Sequence, residues 1–346
     1  MPDTTTSTRF DDVPAFDDIL RAAERLCGWA TVTPLLESAA LNELAGGRVL
    51  LKAESLQRTG SFKFRGAFNR IAQIPEALHK NGVVAFSSGN HAQGVAAAAA
   101  ILGLPAVIVM PRDAPTIKIE NTKGYGAEVG LYDRLTDSRE EIGGRLCEER
   151  GATLVRPYDD GGIIAGQGTC GLEIVRQAET LGARPDTLLV CCGGGGLTAG
   201  CAIAFERLLP DAEVMTVEPA HYDDTRRSLE AGEILPNQSM QGSICDALLA
   251  PQPGTLTFAA NEGRVRGGLA VTDREVKAAM AFAFRVLKLV VEPGGAVCLA
   301  AVLAGKIDCA GRTVALTLSG GNVDPDLFRS VLEEQGDCEE QGDCGP

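Results

Sequence analysis

The chain has 346 residues, 45% of them hydrophobic and 23% charged. That is enough for two domains, or for one large α/β domain carrying an insertion. A net charge of −14 argues against nucleic acid or anionic membrane as partner, since neutralising phosphates needs clustered Lys and Arg.

The N-terminus, Met1 to Arg9, is polar and has no apolar core of a signal peptide, so a cytoplasmic protein is expected. The longest apolar run, 95–102, is mostly alanine and too short to span a bilayer. The 11 cysteines form no Cys-x-x-Cys pair, and Cys191 and Cys192 are adjacent in a strand-like run, so reduced thiols are expected.

In chain order, the first informative segment is Thr59-Gly60-Ser61-Phe62-Lys63-Phe64-Arg65-Gly66-Ala67, one lysine among small and aromatic residues. Its amine could form an imine with an aldehyde, as in pyridoxal phosphate (PLP) enzymes; an edge-strand or surface lysine explains it equally. From residue 82 onward, strands and helices alternate. Strands are expected at 83–86, 106–110, 127–132 and 153–155, with helices at 90–102, 116–123 and 138–150. In the second half, 186–192, 213–217 and 313–318 read as strands, and 196–209, 273–288 and 294–304 as helices. Thr272 and Glu275 form a capping-box pattern. Such alternation with short Gly/Pro loops indicates parallel sheets covered on both faces. Residues 331–346 carry six acids and no Lys or Arg, and are expected to be disordered.

Four places carry chemistry. Ser87-Ser88-Gly89-Asn90-His91 ends a strand and starts a helix, suiting either a helix cap or a carboxylate site; Asn90 can donate to a phenolic oxygen and the Ser88 hydroxyl can carry a proton. Gly193-Gly194-Gly195-Gly196 joins a strand to a helix starting near Leu197, and its unblocked N–H groups suit a phosphate. Ser319, at the end of a strand and before Gly320-Gly321-Asn322, is placed either for a turn or for a pyridine nitrogen. Glu218 and Asp224 flank a turn; they are either solvated loop acids or ligands of a hard cation.

In this order the motifs resemble the fold-type II PLP enzymes of the threonine/serine dehydratase and serine racemase family, over roughly residues 20–330. Thr33-Pro34-Leu35, Gly166-Gln167-Gly168-Thr169 and Glu292-Pro293 add smaller matches. The resemblance implies a tryptophan synthase β-like α/β fold of two open, twisted, mostly parallel sheets with helices on both faces. A small domain, 82–156, would be inserted into a large one, 1–81 and 157–330. It implies Lys63 as the Schiff-base lysine, Phe62 packed at the ring and Asn90 at the phenolic oxygen. Gly193 to Leu197 would hold the phosphate and Ser319 the pyridine nitrogen. Ser87, Ser88, Gly89, Asn90 and His91 would hold the substrate carboxylate, with Arg139 near the substrate side chain. Ser88 would be the acid/base on the opposite face from Lys63. Glu218, the Tyr222 carbonyl and Asp224 match a divalent-cation site (Mg, Ca or Mn).

By the resemblance, the expected activity is removal of water and ammonia from L-threonine or L-serine in a cytoplasmic homodimer. Serine racemase and 3-hydroxyaspartate dehydratase are alternatives within the family. A non-catalytic phosphate- or nucleotide-binding module is the alternative from another class. Two departures stand out. The chain ends soon after the catalytic region, so isoleucine feedback is not expected. Residues 244–250 lack the serine that racemases use as a second substrate contact, which points away from racemase activity and from a dicarboxylic substrate.

Overall fold

The computed structural model describes residues 11–87, 89–114, 116–133, 136–237 and 242–341, with side chains left undescribed at 116–117 and 337–341. Ten strands are found among these residues: β1 (Leu35–Glu37), β2 (Arg48–Ala53), β3 (Val83–Phe86), β4 (Ala106–Pro111), β5 (Glu128–Tyr132), β6 (Thr153–Leu154), β7 (Thr187–Cys191), β8 (Glu213–Pro219), β9 (Val265–Val271) and β10 (Thr313–Leu318). They form a six-stranded sheet, β1-β2-β10-β7-β8-β9, and a four-stranded sheet, β5-β4-β3-β6. Only the β1–β2 pair is antiparallel. β4 and β7 are buried at every residue, as strands covered on both faces must be.

The topology sets the site. β10 lies between β2 and β7, with Val314 beside Thr187 and Leu316 beside Leu189. The two strands run parallel, so the turn after Cys191 and the turn at Ser319 open on the same edge of the sheet. That edge, outside the carboxyl ends of the strands, is where open α/β sheets bind ligands.

Glycines permit the close helix crossings behind this edge. A Cβ on Gly200, in helix Gly196–Leu208, would sit 2.4 Å from the Ile164 carbonyl oxygen of helix Gly161–Thr180. A Cβ on Gly94, in helix Asn90–Leu102, would lie 3.1 Å from the Lys63 carbonyl carbon. Helix Lys63–Ile71 is thereby held against the start of the four-stranded sheet's first helix.

Two expectations need correction. The helix expected over 273–288 closes at Phe282 and continues as a π-helical turn, Ala283–Leu287, ending at Lys288 with φ 60°. The capping box at Thr272 and Glu275 is present. The acidic tail is not disordered where described: helix Pro325–Gln341 runs through it. Val331 is fully buried, Leu327 and Phe328 pack on the core, and Lys277 pairs with Glu334 at 2.6 Å. That apolar stripe outweighs the acidic face. Residues 342–346 lie outside the described residues. None of the described helices is long and apolar enough to cross a membrane.

Candidate active site

A cavity of about 180 Å³ opens on the sheet edge described above. Around it the structure gathers Phe62, Lys63, Ser87, Gly89, Asn90, His91, Arg139, Gly193 to Leu197 and Ser319, sequence positions spread over more than 250 residues. Ser88 lies outside the described residues.

Lys63 begins its helix directly after a stitch to the Ser319 turn. Ser61 forms an antiparallel bridge with Gly320, and the Phe62 N–H donates to the Ser319 carbonyl at 3.1 Å. The Lys63 Nζ donates to the Pro157 carbonyl at 2.9 Å and lies 5.1 Å from the Phe62 ring centroid. Burial pushes its pKa down from 10.5 to about 8, against the opposing pull of Cys191 and Glu292. A lysine so placed can hold or release a proton near neutral pH.

Three of the four glycines in the turn are needed, each for its own reason. A Cβ on Gly194 would meet the Tyr158 ring at 2.3 Å, and one on Gly196 would meet Gln167 Oε1 at 2.7 Å. Gly195 has φ +90°. The carbonyls point away and are taken: Thr257 Oγ1 donates to Gly194 O at 2.7 Å and Asn261 Nδ2 to Gly195 O at 3.3 Å. The amides of Gly193 to Gly196 find no backbone acceptor among the described residues, which leaves them for an anion at the helix start.

Asn90 sits in a short chain of polar groups. Its Nδ2 donates to Glu292 Oε1 at 2.5 Å, and its Oδ1 accepts from Asn322 Nδ2 at 2.7 Å. Asn322 also donates to the Thr59 carbonyl, at a residue with φ 65°. The amide orientation of Asn90 is therefore fixed from both ends. Glu292 is buried, and burial followed by the Asp246 charge raises its pKa to about 7.

His91 differs from expectation in one respect. Its Nε2 lies 3.0 Å from the Val155 carbonyl, which can only accept, so Nε2 carries the proton. Burial, then the Lys63 charge, lowers its pKa to about 3, and its Nδ1 is buried without a partner. The neutral ring has no N–H left to offer a carboxylate. Donation at this helix start falls to backbone N–H groups and hydroxyls.

Arg139 lies 5.4 Å over the Phe86 ring and pairs with Glu140 at 2.8 Å. Burial works against its charge, but Glu140 outweighs that and raises its pKa overall. The same cavity holds groups that the sequence reading passed over: Lys118, ion-paired with Asp246, together with Pro157, Tyr158 and Cys191. Tyr158 follows the short strand β6, and the end of a parallel strand was the signal available for it. Lys118 and Asp246 are 128 positions apart, and no local pattern joins them.

The cation candidates lie elsewhere. Glu218 accepts from the N–H groups of Thr225 and Arg226 at 2.9 and 2.8 Å, capping helix Asp224–Ala231. Burial and then the Asp224 charge raise its pKa to about 8; burial raises that of Asp224 to about 6. One oxygen of Asp224, Oδ2, is buried and partnerless, and a cation beside it would relieve both carboxylates. Tyr222 is buried two residues before Asp224. Among the described residues, no three His, Cys, Asp or Glu side chains cluster as metal ligands, so a carbonyl would have to complete the set.

Comparison with known proteins shows the family of the chain. The family described as "Pyridoxal-phosphate dependent enzyme" matches residues 28–320. An L-threo-3-hydroxyaspartate ammonia-lyase of Pseudomonas sp is 44% identical, with 92% of this chain and 98% of that protein covered. A serine racemase of Schizosaccharomyces pombe is 39% identical, with 93% and 98% covered. The crystal structure of a threonine deaminase of T.th. superposes with a TM-score of 0.84 at 44% identity, covering 90% of this chain and 99% of that one. The chain belongs to the fold-type II pyridoxal-phosphate-dependent enzymes, within their ammonia-lyase and racemase family.

Proposed function

We propose that this enzyme removes water and then ammonia from a 3-hydroxy amino acid, with 3-hydroxyaspartate preferred over threonine and serine. One observation carries the preference: two cations, Lys118 and Arg139, face the cavity of Lys63. The α-carboxylate of any amino acid is served by the start of helix Asn90–Leu102, so a monocarboxylic substrate draws neither cation away from its acidic partner. A 3-carboxylate employs them, exchanging places with Asp246 and Glu140. This shifts the preference expected from residues 244–250. Threonine or serine remains the second reading, because Ala247, Leu248 and Leu249 give the cavity an apolar wall that suits a methyl group.

The residues present fit PLP: a buried lysine of lowered pKa, amides without acceptors at a glycine turn, and Ser319 at the adjacent strand end. When bound, the cofactor supplies the electron sink that makes the substrate Cα–H acidic. Lys63 takes that proton at Nζ, which its lowered pKa permits. The turn amides would hold the phosphate. Asn90, locked by Glu292 and Asn322, would present one N–H to the ring's phenolic oxygen. Ser319 would donate a hydrogen bond but no full charge to the ring nitrogen, making the sink a modest one that suits prompt loss of the 3-hydroxyl. Ser88 completes the proposal as the opposite-face acid/base. Glu218, Asp224 and the Tyr222 carbonyl would hold Mg²⁺ or Ca²⁺ as a structural charge. A homodimer is part of the reading and is testable by sedimentation.

The test is a substrate panel of L-threonine, L-serine, D-serine and the 3-hydroxyaspartates, with and without Mg²⁺. Release of 2-oxo acid is followed beside change of chirality. The expected result is kcat/KM at least about tenfold higher for a hydroxyaspartate, a difference of about 1.4 kcal/mol. Equal or better turnover of threonine would give the second reading precedence. Racemisation exceeding elimination would overturn both.

A further inference from the structure

Tyr158 has no place in the roles assigned so far, yet it stands in the wall of the cavity. It follows Pro157, whose carbonyl holds the Lys63 amine at 2.9 Å. Its ring lies against the glycine turn, with ring carbons 2.3–2.4 Å from where a Gly194 Cβ would be, and its own Cβ is 3.1 Å from that of a substituted Gly196. The Pro157 carbonyl at the lysine and the ring at the turn thus place Tyr158 beside both. No side-chain hydrogen bond contributes to the environment of its phenol, which is set by burial and by the neighbouring charges of Arg139, Asp159, Asp224 and Glu140. Burial raises its pKa, Arg139 acting in the opposite sense, so the phenol stays protonated at neutral pH. A protonated phenol thus lines the same cavity as the Lys63 base, within the electrostatic reach of Arg139.

We propose that Tyr158 is a further catalytic residue, donating its phenolic proton to the departing 3-hydroxyl of the substrate; this rests on the dehydratase reading above. Hydroxide is a poor leaving group, and its departure as water needs a proton at the moment of cleavage. In the step, the C2–H proton passes to Lys63 Nζ and its electron pair becomes the C2–C3 double bond. The C3–O bond breaks with its pair on oxygen, and that oxygen takes the Tyr158 proton to leave as water. Proton return from Lys63 through solvent restores the phenol, so charge and atoms balance.

Leaving-group dependence tests this on the holoenzyme. Chloride needs no proton to leave, so 3-chloroalanine serves as an internal control on the same base, cofactor and fold. Tyr158→Phe is expected to lower kcat on the hydroxy substrate at least about 100-fold, the lower end for acid catalysis. Turnover of 3-chloroalanine should stay within about threefold, with KM, the visible cofactor band and Tm unchanged. Full hydroxy-substrate turnover in the variant would overturn the proposal and move the proton source to the cofactor phosphate. Proportional loss on both substrates would also overturn it, making Tyr158 a packing residue of the turn. A wild-type enzyme that eliminates chloride but converts no 3-hydroxy acid would instead sink the dehydratase reading.

Discussion

Asn90 and Glu292 are 202 positions apart in the chain and joined by a hydrogen bond of 2.5 Å, amide to carboxyl. The contact ties the first helix of the four-stranded sheet to the N-cap of helix Pro293–Leu303, and it takes up one of the two N–H groups of Asn90.

Glu292 should make stability depend on pH. Its folded pKa, about 7, lies above the ordinary 4.5, so the folded state binds the proton more tightly. The resulting stabilisation is complete below about 4.5 and is lost as pH rises through about 7. At about 1.4 kcal/mol per pH unit the full effect is about 3 kcal/mol. Denaturant midpoints at pH 5 and pH 8 should converge in Glu292→Gln relative to wild type. An unchanged difference would assign the slope to other groups.

Arg65, two residues beyond the lysine, belongs to the scaffold. It binds Glu54 at 2.8 Å and Glu173 at 2.7 Å, and Arg65 and Glu54 have side chains at most 1% exposed. Removing the cation strands a buried carboxylate, so Arg65→Met should cost about 3–5 kcal/mol in chemical denaturation. The double variant with Glu54→Met should recover part of that loss. If the single variant loses under about 1 kcal/mol, water reaches the pair and this account fails.

Gly194 and Gly144 offer a matched comparison. Ala at Gly194 collides with the Tyr158 ring at 2.3 Å, whereas Ala at Gly144, inside helix Arg139–Arg150, meets nothing within 4 Å. Gly194→Ala should destabilise by about 1–3 kcal/mol and weaken cofactor binding, read from the visible absorption titration. Gly144→Ala should stabilise by about 0.5–1 kcal/mol and leave that titration alone. Equal effects would mean that the turn tolerates a methyl group.

How far the sequence reached depended on the range of each signal. Buried parallel strands such as Thr313–Leu318 stand out as apolar runs ended by small residues, and the glycine turn is contiguous. Helix Gly161–Thr180 carries no amphipathic signal, since its first 12 residues are all buried and show no polar face. The acidic tail reads as disordered from its charge, whereas the Leu327, Phe328 and Val331 stripe beneath that charge packs it on the core. Lys118, Asp246 and the role of Glu292 depend on residues brought together only by the sheet topology. The proton position on His91 follows from a carbonyl 64 residues away.

Lys118 is where substrate choice becomes measurable. Its side chain is 12% exposed and paired with Asp246, itself 53% exposed, so the anion can move aside into solvent while the cation stays at the cavity. A charge-assisted contact to a substrate carboxylate is worth about 1.5–3 kcal/mol, or about 10- to 100-fold in affinity. Lys118→Met should therefore raise KM for 3-hydroxyaspartate by about that factor and change KM for threonine less than about threefold. Asp246→Asn, which frees the lysine without removing it, should lower KM for the dicarboxylic substrate. Should Lys118→Met weaken both substrates alike, the pair acts by closing the cavity and not by reading the second carboxylate.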